Sequence, residues 1–222
     1  MNGLGRIFTM TVGLKFLMAV SGFILVGFLV GHLSGNMLLY AGPDAINQYA
    51  EVLKKFPVVL WTTRIFLIIA VFVHIYSGVK LSVLNKRARP HAYAVTKRVK
   101  ATLPSQTMLL SGAVVLSFTL YHLAHFTFRW THKEEFAGLG DFDVHAMMVL
   151  SFQSSVVSSF YVLSIVLLMM HLNHGLVSFF QTLGVNHSKY NGVVKSLSIL
   201  LSIILALGFI SLPISIYFGF VS

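Results

Sequence analysis

The sequence predicts an all-α integral membrane protein of five transmembrane helices, a single domain over residues 1–222, with its N-terminus inside. Three observations predict this. Apolar residues make up 56% of the chain, mean hydropathy is +0.83 and only 10% of residues are charged. That is more apolar surface than a soluble domain can hide. Five apolar runs each reach the roughly 20 helical residues that a bilayer core requires. The Lys and Arg residues, finally, concentrate on alternate connections.

The five runs cover residues 16–40, 58–84, 107–130, 144–180 and 193–218. The fourth is the longest, so it must tilt or project beyond the bilayer. Trp61, Trp130, Tyr40 and Tyr121 fall near run ends, where amphipathic rings favour the interface. The second connection, residues 80–100, holds Lys80, Lys86, Arg87, Arg89, Lys97, Arg98 and Lys100 and no acid. Arg6 and Lys15 precede the first run, and Lys189 and Lys195 lie in the fourth connection. The first and third connections instead carry Asp44, Glu51, Glu134, Glu135, Asp141 and Asp143. The positive-inside bias therefore puts the N-terminus inside and the C-terminus outside, the parity that five spans demand. The net charge of +10 thus reports orientation, docking and contact with anionic membrane lipid rather than nucleic acid. The first run is too long, and lacks the small-residue exit, for a cleaved signal.

Cysteine is absent, which excludes a protein-held iron–sulfur cluster, a C-x-x-C-H haem attachment and disulfides. Any redox centre here is non-covalently bound and ligated by something other than thiolate. Histidines supply that ligand. An imidazole inside a span is rare and needs a reason, yet His32, His74, His122 or His125, and His171 or His174 place one in each of the first four runs. At 1.5 Å per residue, His32 and His122 each lie about 15 residues into outward-running spans, near the outer side. His74 and His171 come late in inward-running spans, near the inner side. The depths form two pairs, His32 with His122 and His74 with His171.

Paired imidazoles on facing helices suit the two axial positions of a haem iron, so the first four helices are expected to form a haem-binding bundle holding two haem b groups. Zinc fits less well, since its structural sites want about four converging ligands. Gly78 and Gly175 each follow a histidine by four residues and share its helix face, and Gly35 lies one turn from His32. Each removes a side chain where a planar ring would lie; the plain alternative is close helix packing through small residues. Arg129, seven residues past His122, and Arg64 near the outer level are candidate propionate partners, with interfacial snorkelling as the alternative. His91, His132, His145 and His187 fall in loops or at span ends and read as solvated.

These residues carry a resemblance over essentially the whole chain. Gly31-His32-Leu33-Ser34-Gly35-Asn36, His74-Ile75-Tyr76-Ser77-Gly78, Tyr121-His122-Leu123 and His171-Leu172-Asn173-His174-Gly175-Leu176-Val177-Ser178-Phe179 are similar to the family of single-subunit, five-helix dihaem cytochrome b anchors of succinate dehydrogenase and fumarate reductase. The opening Lys15-Phe16-Leu17-Met18-Ala19-Val20-Ser21-Gly22 resembles that family's opening. The resemblance implies the same two axial pairs and favours His122 over His125 and His171 over His174. It implies a FAD-binding flavoprotein subunit and an iron–sulfur subunit as partners. It also implies quinone, menaquinone in many relatives, as electron acceptor or donor, with Glu51, Gln153, Asn36 and Ser34 as candidate quinone contacts, and the bacterial cytoplasmic membrane as location. Succinate chemistry would then lie on a partner subunit. The alternative is the haem b subunit of another membrane oxidoreductase, such as a hydrogenase or formate dehydrogenase.

Overall fold

The computed structural model describes residues 10–88, 108–140 and 142–222. Arg6, Arg89, His91, Lys97, Arg98, Lys100, Thr107 and Asp141 lie outside the described residues. All regular structure among the described residues is helical. The order is α1 (Thr11–Asn36), a 3₁₀ turn (Met37–Ala41), α2 (Pro43–Lys55), α3 (Pro57–Arg87), α4 (Met108–His122) with a π turn (Leu123–Thr127), α5 (Val144–Phe152), α6 (Ser155–Thr182) and α7 (Ser188–Tyr217). Five helical stretches are long and apolar enough to cross a membrane: Thr11–Ala41, Pro57–Arg87, Met108–Thr127, Ser155–Thr182 and Ser188–Tyr217.

Local chemistry sets the boundaries. Pro43 and Pro57 occupy first helical positions, where a missing N–H costs nothing. Gly42, at φ 102°, makes the turn that separates the 3₁₀ segment from α2. The side chain of Asp143 caps α5 by accepting from the Ala146 N–H at 3.0 Å.

Two features differ from the sequence expectation. The fourth run is not one long span: it breaks between α5 and α6, where Ser154 is extended. The hydroxyl of Ser158 donates to the Phe152 carbonyl at 2.6 Å, satisfying a group that the break releases. The first connection, in turn, holds an amphipathic helix. Ile46 of α2 is buried against Met148 and Phe152 of α5, while Val52 and Leu53 stay exposed.

Helices α1, α3, α4 and α6 contact one another in a closed ring, α1 against α3, α3 against α4, α4 against α6, and α6 against α1. Helix α7 lies along α6 and also touches α1. The ring's outer surface is apolar and uncovered, as at Phe72 and Leu110, which suits a hydrocarbon solvent. The densest packing is at one end, where Leu39, Ile46, Phe152, Tyr161, Leu212 and Ile216 form one buried cluster.

Candidate functional site

The ring of four helices brings the span histidines together at two levels. His32 of α1 faces His122 of α4 with ring centres 5.8 Å apart and planes at 83°. His74 of α3 faces His171 of α6 with centres 6.3 Å apart and planes at 67°. His74 lies against Gly22 of α1, and His171 against Gly112 of α4. On each of those helices the glycine precedes the other level's histidine by ten residues, which separates the levels by about 15 Å along both.

The hydrogen-bond partners favour one tautomer in three of these rings. The Ser111 hydroxyl lies 3.1 Å from the Met108 carbonyl, which can only accept, and 3.1 Å from His171 Nδ1. With its single proton on the carbonyl, Ser111 accepts from His171 Nδ1–H. The Ser21 hydroxyl likewise donates to the Leu17 carbonyl at 2.7 Å and lies 3.4 Å from His74 Nδ1. The Met18 carbonyl also accepts from His74 Nδ1, at 3.2 Å.

A longer chain does the same for His122. Ser151 donates to the Met147 carbonyl at 2.6 Å, so it accepts from His125 Nε2–H at 3.0 Å. A neutral His125 then accepts at Nδ1 from the Tyr161 hydroxyl at 3.0 Å. The Tyr161 oxygen is left to accept from His122 Nδ1–H at 3.3 Å. In His74, His122 and His171, Nδ1 therefore holds the proton and Nε2 the lone pair. His125 is fully buried with both nitrogens engaged. Its Nδ1 and that of His122 meet the same Tyr161 oxygen.

His32 has no comparable anchor. The Asn36 amide donates to the His32 carbonyl at 2.7 Å and lies 3.4 Å from both ring nitrogens, so it does not choose between them. The ring packs on Phe28 and Phe209.

The other expected site residues are dispersed. Gly35 is filled from elsewhere: a Cβ there would come 2.7 Å from the Tyr49 ring of α2. A Cβ at Gly78 would meet Met18 Sδ at 3.9 Å, and one at Gly175 would meet nothing within 4 Å among the described residues. Arg129 is not on a helix face shared with His122, because the π turn and a left-handed φ of 53° at Arg129 end the helix first; its guanidinium donates to the Gly140 carbonyl at 3.4 Å. Arg64 lies over the Trp61 ring at 5.2 Å. Ser34 is exposed and donates to the Val30 carbonyl. Glu51 pairs with Lys55 at 2.9 Å, and Gln153 is exposed at the helix break.

His145 is buried rather than solvated, because α5 packs beneath α2 and Asn47 accepts from the His145 backbone N–H at 3.0 Å. His132 is half-buried and stacked on His125 at 4.6 Å, with a left-handed φ of 58°. His187 is exposed.

Sequence reasoning missed Ser21, Gly22, Ser111, Gly112, Tyr161 and Ser151. A signal for the first four was present: Ser-Gly stands at the same distance before His32 and before His122. Comparison with protein families, with curated proteins and with solved structures finds no match to this chain.

Proposed function

We propose that this chain is the membrane-anchor cytochrome b of a succinate:quinone oxidoreductase, a succinate dehydrogenase or fumarate reductase, with two b haems held by His32 with His122 and by His74 with His171. One observation carries the reading: two facing imidazole pairs, at two levels of one four-helix ring, with three rings held in the tautomer whose Nε2 is free to bind metal. Two imidazoles bound to one metal from opposite sides, with bonds of about 2 Å, have ring centres roughly 6–6.5 Å apart. The His74–His171 pair, at 6.3 Å, lies within that range, and the His32–His122 pair, at 5.8 Å, falls a few tenths of an ångström short of it. No cluster of three or more His, Cys, Asp or Glu side chains suited to a metal occurs among the described residues. A porphyrin would bring the remaining ligands, so two imidazoles per metal are what this chain would have to supply.

Further features fit that group. The Ser77 hydroxyl, one turn past His74, is fully buried and meets no hydrogen-bond partner among the described residues. An open groove of about 120 Å³, lined by apolar side chains, runs beside Ser21 between α1 and α3.

When bound, a b haem supplies a one-electron carrier at each level. The residues of this chain fix the imidazoles, hold the proton at Nδ1 of His74, His122 and His171, and surround both levels with apolar side chains that exclude water. With no cysteine in the chain, the iron–sulfur and FAD-binding subunits are separate partners, docked on the basic inner connection. The N-terminus is inside, and quinone, menaquinone in our reading, reacts at the His32 level in a bacterial cytoplasmic membrane. The resemblance in sequence supports these assignments.

The test is purification from membranes. Paired low-spin b-type absorption bands and two haems per chain are expected, with a flavin-bearing dehydrogenase subunit co-purifying. A nickel or molybdenum enzyme in its place would assign the chain to the other class of membrane cytochrome. Absence of haem sinks both.

A further inference from the structure

We infer that Ser21 and Ser111 are positioning residues that tune the His74–His171 level through its imidazoles, an inference that rests on the haem reading above. The two seats are built alike on separate helices. Ser21-Gly22 on α1 receives His74, and Ser111-Gly112 on α4 receives His171. A Cβ at Gly22 would come 3.1 Å from His74 Cε1, and one at Gly112 would come 3.4 Å from His171 Cε1. Glycine therefore lets each ring lie against the neighbouring backbone. The serine beside it then meets the ring edge. A helical serine that donates to a carbonyl three or four residues back turns its lone pairs outward. Here those lone pairs receive an imidazole N–H.

An acceptor on Nδ1–H shifts electron density onto the ring and strengthens Nε2 as a donor. A stronger donor stabilises the more positive oxidation state of a bound metal, which lowers its reduction potential. The two seats are unequal. His74 keeps a second acceptor in the Met18 carbonyl at 3.2 Å, whereas Ser111 is the acceptor that the structure gives His171 Nδ1. Loss of the Ser111 hydroxyl should therefore matter more than loss of the Ser21 hydroxyl.

The experiment is a redox titration of the purified complex, with electron paramagnetic resonance of its oxidised haems. Ser111→Val should raise the midpoint potential and shift the resonance of one haem, the one lost in His171→Ala, and leave the other unchanged. Ser111→Thr, of equal size with the hydroxyl restored, should titrate like the parent. Ser21→Ala should move the same haem in the same direction by less. If the Val and Thr variants titrate alike, or the shift falls on the haem lost in His32→Ala, the inference is overturned while the cytochrome reading stands. A preparation with no b haem overturns that reading, and this inference with it.

Discussion

The two histidine levels look equivalent in sequence and are held in different ways. At the His74–His171 level both rings sit on a Ser-Gly seat, and hydroxyl or carbonyl oxygens fix both Nδ1 protons. At the His32–His122 level only His122 is fixed, through a tyrosine shared with buried His125. His32 is positioned by packing, against Phe28 and Phe209. Where an imidazole sits and how firmly its tautomer is held are thus separate properties. A ring whose tautomer is imposed presents its lone pair without rearrangement, and a ring held by packing alone does not.

The largest expected effect breaks one level and spares the other. On the proposed reading, His74→Ala or His171→Ala removes one haem per chain, and His32→Ala or His122→Ala removes the other. Pyridine haemochrome quantitation of each variant checks this, and a His125→Ala protein that lacks a haem while His122→Ala retains both would reverse the ligand assignment.

Next comes the glycine seat. Gly22→Ala places a methyl 3.1 Å from the His74 ring and should broaden or deplete that level's absorption band. Gly112→Ala, at 3.4 Å, should do so less, and Gly175→Ala, in open space, hardly at all. Low-temperature difference spectra rank the three, and an effect of Gly175→Ala equal to that of Gly22→Ala would remove the seat from the account.

Tyr161→Phe sharpens the contrast, because it acts on one level only. It strands the Nδ1 atoms of two buried imidazoles, a loss of about 1–3 kcal/mol. Thermal unfolding in detergent should show it, with the His74–His171 spectrum unaltered. The smallest effect belongs to Glu51→Gln. Its partner Lys55 is 63% exposed, so the pair contributes under about 0.5 kcal/mol. Unfolding temperature should not move measurably, and quinone reductase activity tests separately whether Glu51 has any role beyond that pair.

Much of the helical architecture was readable because bilayer thickness imposes a length that any apolar run must meet. The pairing of the histidines was readable for the same reason, since helical rise converts residue number into relative height. The break at Ser154 was not. Seen along the chain, Gln153-Ser154-Ser155 is a short polar stretch in an apolar run, and only the Ser158 hydroxyl returning to Phe152 shows how the interruption is stabilised. The seats were hidden for a related reason. Ser21, Ser34, Ser117, Ser198 and Ser202 all donate to a carbonyl four residues back. Sequence does not tell which of them also accepts from a neighbouring helix. Arg129 failed the face argument because that argument assumed 3.6 residues per turn through a segment that turns more widely.

That wider turn has a consequence for the chain's history. A π turn is an α-helix with one residue too many, and it persists when its removal would undo something useful. Between Leu123 and Thr127 the extra residue separates two imidazoles that nonetheless meet one tyrosine oxygen. Deleting a single residue there would leave the span long enough to cross and still apolar. It would also rotate everything after it by about a quarter turn or more, carrying His125 away from Tyr161 and Ser151. Point substitutions in the lipid-facing turns of this helix are expected to be tolerated widely, and a change of one in the length of this segment is not. Alignments of distant versions of this chain should therefore keep their gaps out of residues 122–127.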